Sequence, residues 1–244
     1  MKHLYNNILQ NVAAGQKMLA VLIDPDKMRI ESVSSYAKKV NASMATHIFV
    51  GGSTVAEYLC DKLVGELKKY TNLPIILFPG DVTQITNMAD ALLFLSLISG
   101  NNPDYLIGKH VQAVSKLQNS NLEIIPTGYI LVENGKPTMV EKVTKTKPMS
   151  RDNLQLVEDT AVAAEYLGMK LVYLEAGSGA SMPVSSEMIA AVKRRLSIPL
   201  IVGGGIRTKS QLVSAYEAGA DMVVIGTALE QDESFFDILK PNTL

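Results

Sequence analysis

Two carboxylates and a lysine close an apolar run in Ile23-Asp24-Pro25-Asp26-Lys27. Acids in such a place can hold Mg²⁺, which favours one or two carboxylates together with substrate phosphates. Asp26 can equally cap the helix that follows. A second run closes in Gly51-Gly52-Ser53-Thr54, where Ser53 can contact a metal or phosphate beside the acids, or cap a helix. A third closes in Tyr173-Leu174-Glu175-Ala176-Gly177-Ser178-Gly179-Ala180. Strand alternation puts Tyr173 and Glu175 on one face, and an inward carboxylate is costly unless it is paired or used. Glu175 can accept the proton of a substrate hydroxyl, or it can form a structural ion pair. Two last runs close in Val202-Gly203-Gly204-Gly205-Ile206-Arg207 and Ile225-Gly226-Thr227-Ala228. Glycines let backbone N–H groups approach an oxyanion with no Cβ in the way, and a helix start behind them adds a favourable dipole. The chemistry suggested is a metal corner, a proton acceptor and an anion cradle. The alternative for the cradle is a tight turn with no ligand.

These groups can meet only if the strand ends gather at one place. Eight short apolar runs recur: 19–23, 47–50, 74–78, 91–96, 122–126, 171–175, 199–202 and 222–225. Their continuous apolar character suits strands buried on both faces. Segments of helical period separate most of them, clearest at 152–167, 186–196 and 209–218. Strand–helix alternation predicts a parallel sheet, and eight units in 244 residues predict closure into a single (β/α)8 TIM barrel, one α/β domain over 1–244. In such barrels the chemistry sits at the C-terminal strand ends, with a phosphate site after strands seven and eight. Two intervals depart from the ideal. Residues 79–90 are short, so the third helix is either brief or replaced by a loop. Residues 127–148 are long, and their Asn134-Gly135 pair reads as a hairpin turn. Lys142, Lys145 and Lys147 then belong either to a solvated loop or to a cationic flap near a diphosphate.

With 23 basic and 24 acidic residues and 47% hydrophobic ones, the chain has ample core and no basic surplus of the nucleic-acid-binding kind. One cysteine, Cys60, excludes an intramolecular disulfide and suits a reducing cytoplasm. The first residues show no apolar stretch of the signal-peptide type, and the longest apolar run, 91–98, is too short to span a bilayer. Transient contact with a membrane surface stays open for a lipid-using enzyme. His3, His47 and His110 show no zinc spacing; His47 reads as packed, His3 as part of a terminal helix and His110 as exposed on a helix. Cys60 has no visible base partner, and the 11 methionines read mostly as core filler.

Together, LIDPDK at 22–27, FVGGS at 49–53, LFPGD at 77–81, YLEAGSG at 173–179, VGGGIR at 202–207 and IGTALE at 225–230 resemble the geranylgeranylglyceryl phosphate synthases and their bacterial heptaprenylglyceryl phosphate relatives. The matches close six of the eight expected strands in order, and the DPDK and YLEAGSG pair is the most selective. The resemblance implies a prenyltransferase that joins sn-glycerol 1-phosphate to a long prenyl diphosphate with the help of Mg²⁺. Asp24 and Ser53 would sit at the metal. Tyr173, Leu174, Glu175, Ala176, Gly177, Ser178, Gly179, Gly204, Gly205, Gly226 and Thr227 would hold glycerol 1-phosphate. Glu175 would be the base on the glycerol 3-hydroxyl. The resemblance is to the archaeal-like branch, which implies a geranylgeranyl donor over a heptaprenyl one, and relatives imply a homo-oligomer, either dimer or hexamer. Residues around the fourth strand, Leu93, Leu95, Leu97, Ile98 and Tyr105, are candidates for the tail groove. Tyr105 is its candidate stop, or an ordinary packing tyrosine. Where some relatives carry a lysine two residues before the first aspartate, this chain has Leu22, so that phosphate contact must come from elsewhere. The alternatives are a sugar-phosphate isomerase or aldolase, or a barrel that only binds a phosphorylated metabolite.

Overall fold

The computed structural model describes residues 3–241. Among them, eight apolar segments extend as strands: β1 (Met18–Ile23), β2 (His47–Val50), β3 (Ile75–Leu77), β4 (Ala91–Leu97), β5 (Glu123–Leu131), β6 (Leu171–Glu175), β7 (Leu200–Gly203) and β8 (Met222–Ile225). Each runs parallel to the next, and β8 returns to β1, closing the barrel. Val21 illustrates the closure, opposing Ile48 on one side and Ile225 on the other. The helices are α1 (Leu4–Ala13), α2 (Val33–Asn41), α3 (Leu59–Leu67), α4 (Lys109–Leu117), α5 (Met139–Thr144), α6 (Leu154–Tyr166), α7 (Ser186–Arg195), α8 (Lys209–Glu217) and α9 (Thr227–Gln231).

Period-two alternation sorts the strand side chains into two cores. Met18, Ala20, Phe49, Ile76, Leu93 and Tyr173 fill the barrel interior. Their neighbours Leu19, Val21, Ile48, Leu92, Val172 and Leu174 pack under the helices. Each buried aliphatic side chain stabilises the fold by about 1.5–3 kcal/mol. α1 closes the floor, with Leu4 and Ile8 in the interior cluster. The Glu123 carboxylate accepts hydrogen bonds from the backbone N–H groups of Leu4 at 2.5 Å and Tyr5 at 3.1 Å. It thereby serves free donors in the first turn of α1 and places negative charge at its positive end.

The third unit is irregular, as its length implies. β3 leads into a single 3₁₀ turn, Val82–Gln84, and β4 begins at Ala91 with no α-helix between. The Asn134-Gly135 hairpin is not formed. Tyr129-Ile130-Leu131 continues β5 past Pro126, and Met139–Thr144 is the short helix α5. In a parallel barrel the next strand arrives only after a crossover, so no hairpin partner exists for β5. Gly135 does take a positive φ of 88°, but in a loop. Asn134 is buried and donates its amide to the Ala176 carbonyl at 2.5 Å. Thr138 caps α5 by accepting from the Glu141 N–H. No helix among the described residues is long and apolar enough to cross a membrane.

Candidate functional site

A cavity of about 360 Å³ opens at the C-terminal strand ends. Glu175 ends β6 with its side chain turned inward beneath that mouth. It is 5% exposed, and its Oε1 accepts the Gly177 N–H at 2.6 Å. Burial pushes its carboxyl up from the usual 4.5 to about 7, against the opposing pull of the Tyr173 hydroxyl and the Gly177 N–H. A carboxylate in that range holds or releases a proton near neutrality. The Tyr173 hydroxyl lies near enough to favour the charged form, yet it is buried without a hydrogen-bond partner. It is thus a donor with free capacity beside the acceptor. No lysine or arginine bridges to Glu175, so the structural ion pair is not its role among the described residues.

The glycine turns after β7 and β8 stand beside it. Gly204 has φ +85°, and a Cβ there would lie 2.5 Å from Glu175 Oε1 and 2.7 Å from the Gly177 nitrogen. Only glycine satisfies both the dihedral and the approach. Gly204, Gly205, Gly226, Thr227 and Ser178 line the cavity with Tyr173 and Glu175. Four residues of the expected glycerol-phosphate set do not. Leu174 and Ala176 point their side chains into the outer core. Gly177 spends its N–H on Glu175, and Gly179 donates to Thr227 Oγ1 at 3.2 Å. They shape the loop while their neighbours face the cavity.

Across the mouth, Asp24 and Ser53 line the wall. Asp24 packs against Gly52, where a Cβ would meet its Oδ1 at 2.9 Å, and it pairs with Lys27 at 3.3 Å. Lys27 also reaches Glu230 at 2.9 Å. Asp26 does not cap a helix; it accepts from the Ala56 N–H at 3.1 Å and fastens the β2 loop. Ser53 is not a cap either, because the residue before α3 is Tyr58. The cavity wall carries five carboxylates (Asp24, Asp26, Asp81, Glu175 and Glu230) and three cations (Lys27, Lys109 and Arg207), a formal balance of 3 − 5 = −2 with every acid ionised. Such a wall needs added positive charge before it accepts phosphates. Among the described residues no group of three His, Cys, Asp or Glu could hold a metal. Asp24 and Ser53 are oxygen donors, of the kind that Mg²⁺ takes when substrate oxygens complete its shell.

The rest of the cavity is apolar. Leu93, Leu95 and Leu97 line it from the inner face of β4, and Leu92 and Phe94 from the outer face. Tyr105, Ala113, Ile85 and Val143 continue it. Ile98, expected among them, is absent from this wall and instead packs on the outer core near Gly128. His110, read as exposed, is 8% exposed and meets the Phe94 ring edge-on at 4.3 Å. The helix enters through a π-helical turn, Asp104–Gly108, and the extra residue in that turn rotates the face that a regular period assigns. Burial lowers the His110 pKa. His47 is buried and bonded to Thr46 Oγ1 at 2.8 Å, and burial holds its pKa near 4. His3 immediately precedes α1. Burial pushes the Cys60 thiol up to about 12, which leaves it unreactive. Lys142, Lys145 and Lys147 are exposed; α5 lines the cavity with Met139, Val140, Val143 and Thr144 instead, which is the solvated alternative.

Several groups at the mouth carried no sequence expectation. Gln84 is buried, donates to the Gly52 carbonyl at 2.9 Å and accepts from the Gly80 N–H at 3.1 Å, tying the loops after β2 and β3. Asp81 pairs with Lys109 at the start of α4. A glutamine in a polar loop and a lysine at a helix start are too common to single out without the fold.

A family profile, described as the PcrB family, matches residues 13–241. A geranylgeranylglyceryl phosphate synthase of Flavobacterium johnsoniae is 53% identical over 96% of this chain and 96% of its own length. One of Korarchaeum cryptofilum is 41% identical over 89% of each. Among solved structures, the (S)-3-O-geranylgeranylglyceryl phosphate synthase of Thermoplasma acidophilum, in complex with its substrate sn-glycerol-1-phosphate, superposes with a TM-score of 0.92. It shares 33% identity, over 100% of this chain and 98% of that one.

Proposed function

Because the chain belongs to the PcrB family, we propose that it joins sn-glycerol 1-phosphate to geranylgeranyl diphosphate through an ether bond, releasing diphosphate. The observation that carries this reading is Glu175: a buried carboxylate with a pKa near 7 set between a glycine cradle, an acidic corner and an apolar cavity. The glycines after β7 and β8, with Ser178 and Thr227, hold the glycerol phosphate and fix its orientation. The Tyr173 hydroxyl and Glu175 face the glycerol 3-hydroxyl. Its oxygen attacks C1 of the allylic donor, its proton passes to Glu175, and the C1–O bond to diphosphate breaks with the electron pair leaving on oxygen. Mg²⁺ held at Asp24 and Ser53 would supply neutralising charge to that leaving group. The apolar wall around β4, continued by Tyr105, receives the prenyl tail of a C20 donor. The lysines on the wall, Lys27 and Lys109, are ion-paired and lie outside the strands, which argues against an aldolase using a Schiff base.

The test is incubation with glycerol 1-phosphate, labelled geranylgeranyl diphosphate and Mg²⁺. A lipid-soluble phosphate product is expected; none with donors of several chain lengths would end the reading. Replacing Asp24 by asparagine keeps its size and removes its charge. Loss of a group supporting a metal typically lowers affinity by about 10–100-fold, so the Mg²⁺ concentration for half-maximal rate should rise by that factor. An unchanged Mg²⁺ titration would remove Asp24 from the metal corner.

A further inference from the structure

We infer that Lys109 binds the diphosphate of the prenyl donor and gives up Asp81 for it when the donor arrives. The inference rests on the proposed reaction, since it needs a donor with an anionic head and an apolar tail.

Lys109 stands where the cavity changes character. On its own helix, His110 and Ala113 line the apolar arm, and Tyr105 one turn earlier does the same; the Lys109 Nζ lies 6.0 Å from the Tyr105 ring centre. Its ion-pair partner Asp81 belongs to the polar mouth. The loop carrying Asp81 is pressed onto the metal corner: a Cβ on Gly80 would lie 2.5 Å from the Gly52 carbonyl and 2.9 Å from that of Ser53. Gln84 holds the two loops together. A cation is thereby fixed between Ser53 and the start of the tail channel, where the head of an amphiphilic donor must stop.

The other cations on this wall are committed. Lys27 serves both Asp24 and Glu230, and Arg207 donates to the Ala180 carbonyl at 2.6 Å on the far, glycine-turn side. Leu22 adds no cation to the wall and packs beside Gly226. Among the described residues Lys109, in contrast, has a single ion-pair partner, Asp81, and both side chains are about a third exposed, so solvent screens the attraction. Asp81 also keeps other partners when Lys109 leaves, because its Oδ1 accepts from the Thr83 N–H and hydroxyl, each at 3.1 Å. A multiply charged diphosphate is the stronger partner for an ammonium group.

The experiment uses inorganic diphosphate with Mg²⁺, titrated calorimetrically into the wild-type enzyme and into Lys109→Gln, Lys109→Arg and Asp81→Asn variants, with steady-state kinetics alongside. A lost charge-assisted contact corresponds to about tenfold or more. Lys109→Gln should weaken diphosphate binding and raise the KM for the prenyl donor by that factor, with the KM for glycerol 1-phosphate within about twofold. Lys109→Arg should recover most of the loss, and Asp81→Asn should tighten diphosphate binding by removing the competitor. Exposed Lys38→Gln, on α2 and away from the cavity, is the control. Unchanged diphosphate binding and donor KM in Lys109→Gln would overturn the inference. If the wild-type enzyme forms no prenylated product yet binds diphosphate through Lys109, the assignment of Lys109 stands and the proposed reaction falls.

Discussion

Replacing Glu175 by glutamine is expected to lower kcat by about 10²–10⁴-fold, the range that a positioned acid–base group contributes, while making the folded protein more stable above neutral pH. Both effects come from the same burial. Glutamine keeps an oxygen to accept the Gly177 N–H but cannot take a proton from the glycerol hydroxyl. On the stability side, the Glu175 carboxyl has a folded pKa of about 7 against an ordinary 4.5. The folded state therefore holds this proton more tightly than the unfolded chain. Its contribution is fully present below pH 4.5, declines as pH rises from 4.5 to 7, and is lost above that. Above pH 7 the ionised, buried group costs about 3 kcal/mol. For a protein of this size that is about 5 °C or more in Tm. Melting curves of the two proteins should nearly coincide near pH 4.5 and separate as pH rises, with the variant higher. Wild-type kcat/KM should climb through pH 7 as the base ionises. Undiminished turnover, or a Tm gap independent of pH, would remove Glu175 from its role.

The second large effect is expected at Gly204. Alanine there would meet Glu175 Oε1 at 2.5 Å and the Gly177 nitrogen at 2.7 Å, so the acceptor and its loop must both move. The positive φ adds about 1–2 kcal/mol of strain. Gly168 separates the two causes, because it has φ +86° with nothing within 4 Å of a built Cβ. Gly168→Ala should cost stability alone and keep its turnover. Gly204→Ala should lose about 10³-fold in kcat/KM for glycerol 1-phosphate, as when a preorganised anion donor is removed. Equal turnover in the two variants, measured at a temperature where both are folded, would show that the turn after β7 does not hold the phosphate.

Much of this was legible before the fold was known, for reasons that differ by residue. The strand ends announced themselves because a parallel barrel buries its strands on both faces, leaving apolar runs that stop at glycine or acid. Glu175 stood out because alternation forced a charge inward. The loops between were harder. Asn134-Gly135 carries a hairpin signature, but its environment is set by the Ala176 carbonyl, 42 residues away. His110 was misplaced because a π-helical turn precedes it. Lys109, Asp81 and Gln84 matter through contacts between separate βα units, which no local pattern encodes. Ile98 lies near the tail-lining leucines in sequence, yet it falls just past β4 and joins the outer core.

The missing helix after β3 bears on how this barrel makes room for a long substrate. Residues from both faces of β4, together with Ile85 of the short connection, line one continuous space. Shelter for a flexible hydrocarbon is thus gained in part by subtraction, with α5 closing another side of the space. Changes in preferred tail length should accordingly accumulate at 79–90 and along the inner side of α4, as insertions, deletions or swaps of bulk, while the glycine turns across the mouth stay constant.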